Sequence, residues 1–155
     1  MISHLNKKNK PKIVDISSKK ITSRKAIAEG IIEFSKSTFK KINSFKTKKG
    51  EIKSIAIIAG ILAAKKTSDL IPLCHNIKID NIDIEIKTMN KTNSLKITSF
   101  VKTTEKTGVE IEAMTAVVIS SLTIYDMCKG IDKNITIRNV RLVEKKGGKT
   151  DYKKK

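Results

Sequence analysis

Aromatic side chains are scarce in this chain of 155 residues: two tyrosines, four phenylalanines and no tryptophan. That argues against a domain that stacks nucleic-acid bases on a sheet, since Phe100 has no aromatic run around it. Cysteine is limited to Cys74 and Cys128, and no C-x-x-C pattern occurs. A zinc knuckle and a dithiol redox motif are therefore not expected, and the spacing reads as two reduced thiols in a cytoplasmic protein. Long apolar runs are missing too. The longest, Ile55 to Ala64, is too short to cross a bilayer. The basic N-terminus has no apolar stretch behind it, so no secretory signal is expected. Arginine is confined to Arg24, Arg138 and Arg141.

What is abundant is lysine. The net charge is +18, and much of it lies at the two ends. Solvated lysines on surfaces and tails explain this without any function. A phosphate-rich ligand drawn by the field of the whole molecule is compatible with the same pattern. Hydrophobic residues make up 39% of the chain. That is enough for a core in one domain of ordinary size.

The pattern along the chain predicts a flexible basic arm over 1–12, one folded domain over 13–145 and a mobile basic tail over 146–155. A strand is expected over Ile31–Phe39, then a lysine-rich loop to Gly50. Glu51–Lys66 reads as a helix with Ile52, Ile55, Ala59, Leu62 and Ala63 on one stripe. Ile82, Ile84 and Ile86 alternate with Asp83 and Glu85, the period of a half-buried strand. A turn over Lys87–Ser94 leads to a strand with Leu95, Ile97, Ser99 and Val101. Glu110–Lys129 is a second helix. The last strand shifts its apolar phase between Ile137 and Val140, which predicts a bulge or bend. The order strand, helix, strand, strand, helix, strand predicts an α+β, ferredoxin-like split βαβ fold with both helices on one face of an antiparallel sheet. Both helices are apolar beyond one stripe, which predicts a homo-oligomer.

Groups capable of chemistry cluster at the ends of these elements. His75 follows Pro72, Leu73 and Cys74 in a connection between helix and strand, where it can exchange protons near neutral pH, bind phosphate, or serve only as a structural imidazole. No metal site is expected: His4 lies in the arm and no other ligand is suitably spaced. Asp126 and Lys129 are neighbours on one helix, either an acid–base pair or an exposed ion pair. Glu110 and Glu112, two apart, should point to different faces of the helix start. Glu112 and Asp126 share a face but stand roughly 21 Å apart along the axis. One helix cannot bring both to one reacting atom, so a long substrate or a second chain is required. Gly147–Thr150 (GGKT) looks like the end of a P-loop, but Val143 stands where a glycine is needed.

Several stretches, taken in order, resemble one family. They are KKGE (Lys48–Glu51), AGILAAKKTSDLIPLCH (Ala59–His75), KTGVEIEAMTAV (Lys106–Val117), LTIYDMCKGIDK (Leu122–Lys133) and RLVEKKGGK (Arg141–Lys149). They are similar to the cyclic pyranopterin monophosphate synthases, the molybdenum cofactor biosynthesis protein C family, over about Val14 to Lys149. The resemblance implies a lyase acting on the cyclic dihydroguanosine triphosphate made from GTP by a radical SAM enzyme. It releases pyrophosphate and needs no redox cofactor. It also implies a homohexamer, a trimer of dimers with sites shared between chains, and neither nucleic acid nor membrane as partner. Carried over by motif, Asp126, Lys129 and Lys49 resemble the catalytic residues. Leu73, Cys74, His75, Ile111 and Glu112, with Glu110 beside them, resemble the substrate-binding segments. Lys145 and Arg24 resemble phosphate-binding cations. The chain departs from the family pattern at Asn76, where a proline is usual, and at Glu105, where a glycine is usual. The alternative reading is a basic RNA-binding module of the same topology.

Overall fold

The computed structural model describes residues 4–6, 8–42, 46–47 and 50–154. Its centre is strand β1 (Thr22–Glu33), whose inward positions Ala26, Ala28, Gly30 and Ile32 are all buried. Three of these four are small because a helix lies directly on them: a Cβ at Gly30 would come within 2.7 Å of Val117. After β1 come a short helix α1 (Lys36–Lys41), the two-residue strands β2 (Lys46–Thr47) and β3 (Gly50–Glu51), and helix α2 (Ile52–Lys65). One turn, α3 (Thr67–Leu70), leads towards β4 (Asn81–Met89). A 3₁₀ turn at Asn90–Thr92 then joins β4 to β5 (Ser94–Glu105). Helix α4 (Glu110–Cys128), β6 (Thr136–Lys146) and β7 (Tyr152–Lys153) complete the chain.

The sheet order is β4-β5-β1-β6-β7, every pairing antiparallel. Its four long strands, with α2 and α4 between them in sequence, form the expected ferredoxin-like arrangement. Helix α4 packs over β1, β5 and β6, and α2 over β4. α4 is long and apolar enough to cross a membrane by composition alone, but half of it is buried here as the core helix of the layer.

Three expectations need correction. Ile31–Phe39 is not a strand, because β1 ends at Glu33. Ser35 instead caps α1, its hydroxyl accepting from the Thr38 N–H at 3.2 Å. A serine at that position satisfies a donor that the first turn of a helix otherwise leaves unpaired. The stripe of α2 that meets the core is Ile52, Ala56, Gly60, Ala63 and Ala64, while Leu62 is 54% exposed. The small side chains win because α2 and α4 lie in close contact. A Cβ on Gly60 would stand 2.6 Å from Ile84 Cδ1 and 2.9 Å from the Ala116 carbonyl, and Ser120 Oγ donates to the Ala56 carbonyl at 2.9 Å. Finally, the C-terminal segment is folded onto the sheet. It turns at Gly147, whose φ is +84°, and returns as β7 beside β6. Only a residue without Cβ adopts that backbone conformation freely.

The phase shift in the last strand is a bulge. β6 shifts register against β1 between Glu29 and Ile31, where Asn139 adopts a φ of 57°. A second shift lies between Ile27 and Ala28, so that Leu142 pairs with Ala28 but Glu144 pairs with Ile27.

Candidate active site

The helix α2 and the turn α3 end in the connection that carries Leu73, Cys74 and His75, and this connection meets the start of α4. Together they line a cleft of 130 Å³ that also includes Glu110, Ile111, Glu112 and His4. His75 is held from one side: its Nε2 donates to the Val14 carbonyl at 2.7 Å. In the neutral ring that bond places the proton on Nε2 and leaves Nδ1 as the basic nitrogen.

Glu112 is buried, at 4% exposure. Loss of water pushes its carboxyl up to about 7, and the charge of Glu110 adds to the rise, while its own backbone N–H offsets part of it. It therefore changes protonation near neutral pH. Glu110 is paired with Lys145 Nζ at 3.3 Å. The two glutamates do not divide between different faces, as their spacing implies. Both line the cleft because it wraps around the first turn of the helix, where no preceding turn separates them. The Cys74 thiol is pushed up by burial and then by Glu112, which keeps it protonated and weakly nucleophilic. Cys128, fully buried, is pushed up to about 11, and both cysteines are free thiols.

Asp126 and Lys129 are not in this cleft. They sit at the other end of α4, joined at 2.7 Å, each with more than half of its side chain exposed. The Lys129 ammonium is held above its usual range by the hydrogen bond and the charge of Asp126. They border an open groove of 540 Å³ with Tyr125, Met127 and Lys133.

Arg24 lines a third groove, of 350 Å³, together with Lys19, Lys20 and Lys149. Its Nε donates to the carbonyl of Glu105 at 2.9 Å, so this unusual residue contributes its backbone there. Lys145, which pairs across the sheet with Ala26, reaches from β6 to Glu110 at the carboxylate cleft. The lysine expected before α2, Lys49, lies outside the described residues.

One protomer thus unites Leu73, Cys74, His75, Glu110, Ile111, Glu112 and, through Glu110, Lys145. Arg24 and the pair Asp126–Lys129 line separate grooves. Sequence reasoning misses His4, which it leaves in a flexible arm. Among the described residues no group of three or more His, Cys, Asp or Glu is placed to hold a metal ion.

Comparison with known proteins agrees with this architecture. The sequence pattern of the MoaC family matches residues 13–148. A protein of Helicobacter pylori strain Shi470 named cyclic pyranopterin monophosphate synthase is 50% identical over 155 residues, covering 99% of this chain and 98% of its own. One of the same name from Heliobacterium modesticaldum is 44% identical over 151 residues, covering 97% and 95%. A match running through every core element and both ends of α4 leaves one conclusion: the chain belongs to the MoaC family.

Proposed function

We propose that this protein is a cyclic pyranopterin monophosphate synthase of molybdenum cofactor biosynthesis. It converts the cyclic dihydroguanosine triphosphate intermediate to cyclic pyranopterin monophosphate and releases pyrophosphate. The observation that carries this reading is identity of about one half, from end to end, with proteins named for that activity.

The chemistry asks for three things. The base must be held while its ring system rearranges, protons must be moved at defined atoms, and negative charge must be stabilised as a substrate oxygen bonds the α-phosphorus and the bond to the β-phosphate breaks. The cleft of His75, Glu110 and Glu112 supplies acceptors for the N–H groups of a guanine-derived ring. Asp126 with Lys129, and Lys49, move protons at the reacting carbons. Arg24 and Lys145 take the phosphates, with Lys19, Lys20 and Lys149 adding to the field.

The cleft of 130 Å³ is too small for one protomer to enclose the substrate. Small-molecule sites commonly run to roughly 300–1,000 Å³. A second chain brings its own Asp126–Lys129 end to the His75 cleft. The outer side of the helix layer favours such contacts. Ile58, Leu62, Ile111, Val118 and Leu122 are each at least 40% exposed. That is more apolar surface than a lone subunit usually shows. We assign a homohexamer, a trimer of dimers, working in the cytoplasm. Light scattering checks this: a hexameric mass at micromolar concentration is expected, and a monomeric mass would remove the shared site.

The direct test is turnover of the authentic cyclic triphosphate by purified protein with no redox cofactor added. Formation of cyclic pyranopterin monophosphate and one pyrophosphate per turnover is expected. No product under those conditions would refute the assignment.

A further inference from the structure

His4 is a polar residue of the carboxylate cleft that the proposed reaction leaves unused. It lines the cleft with Cys74, His75, Glu110 and Glu112. Its Nδ1 is sealed from solvent and has no hydrogen-bond partner among the described residues. A buried ring nitrogen without a partner is costly, and in a cleft it calls for an explanation, of which a bound polar group is one.

The arm that delivers it is built, not loose. Leu5 and Pro11 form an antiparallel bridge, and Lys12 N–H donates to the His4 carbonyl at 2.9 Å. Inside that turn, Asn6 Oδ1 accepts from the N–H groups of Lys8 and Lys10, at 2.8 and 3.0 Å. Two bonds tie the following residues to the body: the Val14 carbonyl accepts from His75 Nε2, and the Ser17 carbonyl accepts from Lys106 Nζ at 2.8 Å. The segment that positions His4 is therefore the one that fixes the proton on His75.

The surroundings say which part of a nucleotide His4 would meet. Glu110 and Glu112 stand in the same cleft, and a phosphate brought between them would face like charge. The cations gather instead along β6 and β1, around Lys145 and Arg24. The group within reach of His4 is then a neutral polar edge of the base, a ring carbonyl or N–H.

We propose that His4 is a substrate-binding residue, completing the base-recognition cleft through Nδ1, and that the arm, residues 4–6 and 8–17, is a working wall of the site. This rests on the reaction proposed above and adds a residue to it.

The test is steady-state kinetics of the intact assembly with the cyclic triphosphate. His4→Ala should raise KM about five- to tenfold and leave kcat within about twofold, as expected for one lost hydrogen bond to bound substrate. His4→Asn places an amide where Nδ1 stands and should return KM to within about threefold of the parent. Melting temperature and assembly mass should be the same in all three proteins. An unchanged KM in His4→Ala, with His75→Ala impaired, would overturn the role of His4 and leave the reaction standing. So would an equal loss in Ala and Asn variants accompanied by a lower melting temperature, since His4 would then only pack the arm. An inactive parent protein would sink the reaction itself, and this inference with it.

Discussion

At its N-terminal end α4 carries Glu112 almost sealed from water, beside a histidine whose proton is fixed by a backbone carbonyl. At its C-terminal end it carries Asp126 and Lys129 as a close pair open to solvent. The first end is organised by burial, which holds groups still and moves their titration towards neutrality. The second carries an exposed ion pair that water screens and that contributes little to folding. In the reaction proposed above, one protomer would therefore finish the recognition half of the site and leave the proton-moving half unroofed. The difference teaches that enclosure of the second half has to come from elsewhere, and the helix layer exposes the aliphatic surface for it.

The contrast is open to attack by mutation. The largest expected effect is at the exposed end: Asp126→Asn should lower kcat by about 10²–10⁴-fold while melting temperature stays within about a degree and the assembly mass is kept. Full activity in that variant would remove Asp126 from the mechanism. Next comes mixing. Two inactive variants, one altered at His75 and one at Asp126, unfolded and reassembled together, should recover up to about a quarter of the sites when each site straddles two chains. Recovery of none would place both halves on one chain.

The buried end should answer in stability and not only in rate. Below pH 4.5 the Glu112 carboxyl is protonated folded or unfolded and costs nothing extra. As pH rises towards about 7 the unfolded carboxyl ionises first, so the folded state binds the extra proton and stability falls; above that the penalty is constant. Glu112→Gln should therefore stabilise the protein by roughly 2 kcal/mol at pH 8 and hardly at all at about pH 4, as read by denaturant unfolding at the two pH values. Equal stabilisation at both would mean that the carboxyl is not the cause. The smallest effect tests what joins the two ends. Gly60→Ala inserts a methyl between α2 and α4 and should cost about 1–2 kcal/mol by the same measurement, despite the better helix propensity of alanine.

Much of this is legible in the sequence. The alternation of Ile82, Ile84 and Ile86, that of Leu95, Ile97, Ser99 and Val101, the long run of Glu110–Cys128 and the phase slip after Ile137 point to three strands and a helix, and strand–helix order then gives the topology. β1 escapes a full reading because the residues under α4 are Ala26, Ala28 and Gly30. Alternation made of small residues carries little hydrophobic contrast, although Ile27, Glu29 and Ile31 between them keep the period of two. The stripe of α2 is misplaced for the same reason. Close helix contact selects glycine and alanine for the interior and leaves Ile58 and Leu62 outside, the reverse of what hydropathy implies. The motif residues of the His75 cleft are found, because they sit at helix ends. His4 is not, since a lone histidine among lysines, far along the chain from its neighbours in the cleft, gives no periodic signal.

The inserted residue Val143 in β6 settles a question of parity. Side chains on a strand alternate by odd and even count. A regular ladder continued from the inward Leu142, with Val143 paired instead of bulged, would send Lys145 to the side of the sheet away from the helices. One extra position resets the count: Glu144 turns outward to Lys25, and Lys145 turns inward to Glu110. Excising Val143 would close the bulge yet leave Glu144 opposite Ile27 and Lys145 opposite Ala26, so the bulge is what lets the strand carry an odd residue while an acid and a base keep to opposite sides of the sheet.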